Sequence, residues 1–194
     1  HAVALKFGKE RGHSLALLCR TQSKLDPAVK EFNDLGVKTI GLPTDLSDTQ
    51  AVLASLEEAK KQLGDVALLF WNGGGIPKPL LEMTSEDIHY NLRISVDSLL
   101  FATKHLLPEL ERLKGAVLVT GGGMGDDSEA MAQFALQYGA ATFALNKASE
   151  HKLVQMLHVA LKPRGVFVGE VTVRNMVAGT DWDPEGTSSL TPGM

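Results

Sequence analysis

The sequence contains a single cysteine, Cys19, among its 194 residues. One thiol excludes an internal disulfide framework and is typical of a reducing compartment, so we expect a cytoplasmic protein. No apolar stretch approaches the roughly 20 residues that a transmembrane helix requires, and we therefore expect no membrane partner. Basic residues are not in excess, because the formal net charge is −4 and the pI is about 5.9. This balance argues against nucleic acid or anionic lipid as a partner.

Residue patterns of several site classes are also missing. The six histidines show no metal-ligand spacing: His151 and His158 share a helix face but lack further ligands, so we expect no metal. Neither a G-x-S-x-G turn nor a Ser-His-Asp arrangement is visible. What is present is an ordinary globular composition, 44% hydrophobic and 22% charged, in a chain whose length suits one domain.

Short apolar runs alternate with helical patterns along the chain. Each run is mainly apolar and bounded by turn residues, which predicts a buried strand of a parallel sheet. The runs cover residues 14–19, 37–42, 65–70, 116–119 and 166–173, and helices are predicted over 26–35, 47–63, 84–107 and 140–162. This alternation predicts an α/β fold with a doubly wound, Rossmann-like parallel sheet, forming a single nucleotide-binding domain over residues 1–194.

The two ends of the chain depart from this pattern. Residues 1–10 have the pattern of a helix already under way, whereas a doubly wound fold normally opens with a strand and a glycine-rich turn. We therefore expect that the N-terminal strand and its glycine-rich loop are absent from this chain, and that the domain is truncated at both ends. The tail after Gly179 is rich in turn residues and is expected to be a loop.

Glycine clusters follow two of the predicted strands. Trp71-Asn72-Gly73-Gly74-Gly75 comes directly after one apolar run, and Gly121 to Gly123 follow the next. Open α/β sheets bind ligands at the carboxyl ends of their strands, and glycines let a ligand approach the backbone closely. Neither cluster alone is a phosphate-binding fingerprint, and a simple flexible turn is the alternative interpretation.

With these elements placed, residues 1–173 resemble the short-chain dehydrogenase/reductase family. Cys19-Arg20 resembles the position that selects between NAD and NADP, and Asp45-Leu46 the pair that touches the adenine. Trp71-Asn72-Gly73-Gly74 stands where the family has its Asn-Asn-Ala-Gly turn. The resemblance also matches Lys147 to a lysine that binds the cofactor in the family. It therefore implies seven cofactor-binding residues, which are Arg20, Asp45, Leu46, Asn72, Gly73, Gly74 and Lys147.

The cofactor implied by the resemblance is NADP, with NAD as the alternative. No Asp or Glu follows the run 14–19 to accept a ribose 2′-hydroxyl, whereas Arg20 can accommodate a 2′-phosphate. Arg20 could equally be an ordinary arginine at the end of a strand, and Asp45 an ordinary turn residue.

Two positions of the family's catalytic tetrad are filled, by Asn91 and Lys147. The positions of the serine and the tyrosine fall on Gly122 and Phe143, and neither residue can donate a proton. Tyr138, the nearest phenol, lies nine residues before Lys147 rather than four. For Lys147 a solvated helix lysine is the alternative, and for Asn91 a buried asparagine that bonds to the backbone.

The resemblance with these departures leads to two expectations of function. The first is an atypical NAD(P)(H)-binding oxidoreductase that acts on an unidentified small carbonyl or alcohol substrate. The second is a catalytically inactive relative that serves as a cofactor-sensing or oligomer-forming subunit. Because the helices predicted over 84–107 and 140–161 correspond to those that pair subunits in the family, we also expect a homodimer or homotetramer.

Overall fold

The contacts within a computed structural model, which describes residues 1–174, 177–178 and 185–186, divide the chain into two compact units. Among the continuously described residues, unit 1 comprises His1–Asp45 and Gln50–Gly64, and unit 2 comprises Leu46–Thr49 and Asp65–Arg174. The loop expected after Gly179 lies outside the described residues, apart from two of them.

Unit 1 is built on two parallel strands with helices between and after them. The elements are helix α1 (Ala2–Leu5), which continues as a π-helical segment (Lys6–Glu10), strand β1 (Leu15–Cys19), helix α2 (Gln22–Asp34), strand β2 (Thr39–Pro43) and helix α3 (Thr49–Leu63). Leu25 and Phe32 of α2 and Val52 of α3 are almost completely buried. Burial of one apolar face therefore holds these helices in place.

Unit 2 contains a three-stranded parallel sheet with β4 in the centre. Its strands are β3 (Leu68–Trp71), β4 (Ala116–Gly122) and β5 (Phe167–Val173), and β4 pairs with both neighbours. Val117 and Val119 on β4 and Val168 on β5 are at most 2% exposed. All pairings between the described strands of both units are parallel, so the predicted α/β architecture with parallel strands is confirmed.

The helix that connects β3 to β4 is longer than predicted and is not uniform. It consists of α4 (Ser85–Leu92), a π-helical segment (Arg93–Ser98) and α5 (Leu99–Leu113). Thr84 and Asp87 form a capping box at its start. The predicted range ended at 107, just before Pro108, but α5 continues past this proline because Leu106 and Leu110 are completely buried.

Two further departures from the sequence expectations concern helix boundaries. Helix α2 begins at Gln22 rather than Asp26, since the Gln22 amide donates to the Asp26 carboxylate at 2.5 Å and supports the extra turn. The polar segment after β4, for which the sequence pattern predicted no helix, contains helix α6 (Glu129–Gln137), whose first turn is capped by Ser128.

The long helix before β5, α7 (Ala141–Leu161), matches the predicted range 140–162. Leu153, Leu157 and Leu161 are buried as their spacing predicts, whereas Met156 is 57% exposed. No helix in the described part of the chain is both long and apolar enough to cross a membrane.

Candidate active site

Lys147 lies at the centre of the candidate site, on the buried face of α7. Its side chain is only 5% exposed. The ammonium donates to the carbonyl of Gly73 after β3 at 3.2 Å, to the carbonyl of Thr120 on β4 at 2.8 Å, and to the Glu150 carboxylate at 2.6 Å. A lysine ammonium has three N–H donors, so these three acceptors use all of them.

Glu150, one turn further along α7, is the buried counter-ion of Lys147. Its side chain is completely buried, and among the described residues its second carboxylate oxygen has no hydrogen-bond donor. Burial raises the pKa of the Glu150 carboxyl from its ordinary 4.5 to about 7; the Lys147 ammonium opposes this rise, and the Glu170 charge adds to it. The pair is therefore an ion pair whose acid can be protonated near neutral pH.

Gly122 and Phe143 both lie close to the Lys147 side chain. A Cβ added to Gly122 would be 3.1 Å from the Lys147 Cγ and 3.4 Å from the Phe143 Cε1. The Lys147 ammonium lies 5.7 Å from the centre of the Phe143 ring, within the range of a cation–π contact. The structure thus brings together the three residues that the resemblance places at the serine, tyrosine and lysine positions of the family's tetrad.

In the turn after β3, exposed and buried residues alternate. Asn72 and Gly74 are exposed, and a Cβ added to Gly74 would meet only Phe143, at 3.9 Å. At Gly73 an added Cβ would lie 2.9 Å from Ile94 and 3.3 Å from Leu46, so Gly73 is packed against protein. The exposed backbone at Gly74 fits a bound ligand such as a dinucleotide.

Asn91 is 98% buried, but its bonds hold it to neighbouring backbone. Its amide nitrogen donates to the Asp87 carbonyl at 2.7 Å and to the Ile76 carbonyl at 3.4 Å. Its Oδ1 has no donor among the described residues, and a Cβ added to Gly75 would lie 1.5 Å from it. The structure brings Asn91 beside the glycine turn, and its two hydrogen bonds to backbone carbonyls are those of a buried helix asparagine.

Two predicted cofactor residues belong to unit 1. Arg20 directly follows β1 and is exposed, and Asp45 follows β2 after the buried Thr44. The Thr44 amide donates to the Cys19 carbonyl at 2.8 Å, which extends the pairing of β1 with β2 to this point. Both residues therefore lie at the carboxyl ends of paired strands.

A model of the short chain dehydrogenase family matches residues 1–183. The chain belongs to the short-chain dehydrogenase family. Among curated members, it is 29% identical over 124 residues to the 2-dehydro-3-deoxy-D-gluconate 5-dehydrogenase of Formosa agariphila, which covers 61% of this chain and 47% of that protein. It is 26% identical over 144 residues to the 7alpha-hydroxysteroid dehydrogenase of Escherichia coli, covering 74% and 53%. The chain thus spans about half the length of these relatives.

Solved structures of the family confirm the Rossmann-like fold. The alcohol dehydrogenase of Thermococcus sibiricus complexed with 5-hydroxy-NADP has a TM-score of 0.77 at 21% identity, covering 98% of this chain and 79% of that one. A short-chain dehydrogenase of Sphingobium yanoikuyae in complex with NADPH has a TM-score of 0.74 at 25% identity, covering 90% and 66%.

Sequence reasoning did not identify Glu150 as part of the site. The signal was nevertheless present, because Asn146, Glu150, Leu153, Leu157 and Leu161 recur at intervals of three or four residues. All five are buried in the structure. A charged residue on an otherwise buried helix stripe, three positions after a candidate lysine, indicates an internal ion pair.

Proposed function

We propose that the protein binds NADP(H) and is an oxidoreductase acting on a small carbonyl or alcohol substrate. The observation that carries this proposal is the convergence of Gly73, Gly122 and Phe143 on Lys147 at the carboxyl ends of β3 and β4. The exposed backbone at Asn72 and Gly74 supports cofactor contact at the same edge. When bound, the nicotinamide supplies or accepts the hydride.

The preference for NADP over NAD rests on Arg20. Its exposed guanidinium follows β1, and the sequence Cys19-Arg20-Thr21-Gln22 offers no carboxylate that would accept a ribose 2′-hydroxyl or repel a 2′-phosphate. In the same proposal Asp45 and Leu46 contact the adenine. The compartment we propose is the cytoplasm.

Calorimetric titration with NADPH and NADH tests the cofactor proposal. We expect NADPH to bind more tightly, and Arg20→Gln to weaken NADPH binding by about tenfold while leaving NADH binding nearly unchanged, because only NADPH has the 2′-phosphate. Arg11→Gln, another exposed arginine of unit 1, is the matched control. Failure of both cofactors to bind the protein would refute the proposal.

A second candidate, a non-catalytic cofactor-binding subunit, is favoured by the surroundings of Lys147. Phe143 has no hydroxyl, Gly122 has no side chain, and the ammonium is already saturated by internal acceptors. General acid catalysis typically contributes about 10²–10⁴-fold, so without a proton donor hydride transfer would be slow.

The double variant Phe143→Tyr with Gly122→Ser tests whether these two groups are all that the site lacks for catalysis. If only the proton donor is missing, this variant should reduce a panel of carbonyl compounds at least 100-fold faster than the wild type, as general acid catalysis would supply. The serine Cβ would lie 3.1 Å from the Lys147 Cγ, so the flexible lysine stem must shift slightly. Phe143→Tyr alone is the control without that demand. A folded double variant that binds NADPH and stays inert would favour the non-catalytic subunit.

A further inference from the structure

The three hydrogen bonds of the Lys147 ammonium differ in how readily they can be broken. Gly73 and Thr120 contribute backbone carbonyls, which are neutral and fixed by the turn after β3 and by β4. Glu150 contributes a carboxylate at 2.6 Å, so its bond is the one of the three that joins two opposite charges. Glu150 is therefore the acceptor whose hold on Lys147 depends on its own charge.

The surroundings of Glu150 make both charge states accessible. Its side chain is completely buried, one of its oxygens has no donor among the described residues, and its pKa is raised by burial to about 7. Glu170 on β5 adds a second negative charge, and its own carboxylate accepts from Thr172 and pairs with His151. Strand β4 and the turn 123–125, which also pack on α7, contain no titratable side chain. The other elements in contact with α7 do carry titratable groups: Glu86, Asp87, His89 and Tyr90 on α4, Arg93 and Asp97 in the π-helical segment, Glu129 on α6, and Lys162 and Arg164 after α7. The charges that shift the pKa of Glu150 are those of Lys147 and Glu170.

We propose that Glu150 is a positioning residue that competes with the cofactor for the Lys147 ammonium. This inference rests on the proposed function and on the cofactor-binding role that the family resemblance implies for Lys147, in which its ammonium donates to a ribose hydroxyl of the nicotinamide half. With all three N–H groups engaged, Lys147 must release one internal acceptor before it can donate to a ribose hydroxyl. Ionised Glu150 keeps the ammonium in its internal ion pair, and protonation of Glu150 weakens this pair so that the ammonium can turn to the cofactor.

The competition predicts that protons are taken up when the cofactor binds. Withdrawal of Lys147 leaves the buried Glu150 without its opposite charge, which favours the protonated carboxyl still further. At pH 7.5, cofactor binding should therefore transfer a substantial fraction of one proton from solvent to the Glu150 carboxylate. For the same reason the affinity should rise as the pH falls.

Calorimetry of NADPH binding in buffers of different ionisation enthalpy measures this proton uptake. We expect the wild type to take up protons on binding NADPH at pH 7.5. The Glu150→Gln variant should lack the part of this proton uptake that is due to Glu150, because its amide keeps the shape of the side chain without the charge. At pH 8.0 the variant should bind NADPH about fivefold more tightly than the wild type, and at pH 6.0 the two should converge. The titration of the 2′-phosphate of the cofactor, with its pKa near 6, is common to both proteins and cancels in the comparison.

Two further measurements keep the proposal testable. Glu86→Gln, which removes an exposed carboxylate paired with Arg93, should retain the proton uptake of the wild type. Carbon-13 spectra of glutamate carboxyls in the wild type should show one resonance that titrates near neutral pH and whose midpoint rises on saturation with NADPH. This measurement does not depend on the folding of any variant.

The outcomes separate this inference from the proposed function. If the wild type binds NADPH with no proton uptake beyond that of Glu150→Gln, and no glutamate midpoint moves, Glu150 does not compete for Lys147 and the inference is overturned while cofactor binding stands. If neither protein binds NADPH at any pH, the proposed function fails and the inference fails with it.

Discussion

At the scale of single residues, the Lys147–Glu150 pair combines two opposing electrostatic effects. Burial penalises the charge on each partner, and their proximity offsets part of that penalty. For Glu150 the effect of burial is the larger one, because its pKa is raised to about 7 despite the ammonium 2.6 Å away. A buried carboxyl of this kind makes the stability of the fold depend on pH.

The pH dependence of folding provides a test of the buried state of Glu150. Between pH 4.5 and 7 the folded protein holds a proton on Glu150 that the unfolded chain has lost, so this group makes the free energy of unfolding fall as the pH rises. At ~1.4 kcal/mol for each pH unit, the loss is roughly 3 kcal/mol, and it is complete above pH 7. Urea denaturation of the wild type and of Glu150→Gln across this range should show the loss only in the wild type. Parallel stability curves would contradict a buried, titrating Glu150.

The family resemblance pointed to Lys147 and the glycine turn but not to the partners of Lys147. Lys147 was proposed because it matches the lysine of the family's catalytic tetrad, and its position relative to β3 and β4 follows from the alternation of strands and helices. The carbonyl of Thr120 carries no residue-specific signal, because any residue has one. Glu150 was missed because a glutamate in a helix containing several other polar residues reads as part of a solvated face.

At the scale of elements, close backbone contacts at glycines position the site. The turn 123–125 packs directly on α7: a Cβ added to Gly125 would lie 2.6 Å from the Ala148 amide nitrogen and 2.6 Å from the Lys147 carbonyl carbon. Both are backbone atoms that cannot move independently of the helix. The placement of Lys147 therefore depends on the absence of a side chain at Gly125.

Substitution of Gly125 tests this contact between the turn and the helix. Gly125→Ala should lower the free energy of unfolding by about 1–3 kcal/mol, as expected for an overpacked interface. Gly74→Ala is the matched control, because its Cβ would make only an ordinary contact, 3.9 Å from Phe143. Urea denaturation of both variants provides the measurement. Equal stability of the two would show that the turn can move away from α7 at little cost.

Element boundaries were harder to predict from sequence than element types. The five strands were predicted because each is a short apolar run between turn residues, and their ranges differ from the structure by a few residues. Two helix ends were predicted wrongly next to a proline, at Pro27 and at Pro108, because local propensity alone places helix ends there. In the structure the buried side chains of Leu25 and Leu110 outweigh that local preference.

At the scale of the whole molecule, helices α4, α5 and α7 of unit 2 leave apolar surface exposed. Leu145, Met156 and Val159 of α7 are 50%, 57% and 73% exposed. A groove of about 570 Å³ runs along this surface, and its lining is mainly apolar; the residues are Leu92, Val96, Asp97, Ala148, Ser149, Lys152, Leu153 and Met156. Apolar surface of this kind is typical of an interface between subunits.

We therefore predict that the protein is a homodimer or homotetramer in which this groove is covered by a second copy. Light scattering should give a mass of at least twice the 20.8 kDa of one chain. Met156→Lys should convert the assembly to monomers, because a two-fold interface brings both new charges into the same buried region. Leu35→Lys, an exposed leucine of unit 1, is the control and should leave the mass unchanged. A wild-type mass of one chain would refute the assembly itself. An assembly that Met156→Lys does not weaken would place the interface elsewhere, and the exposed face of α7 would then need another role.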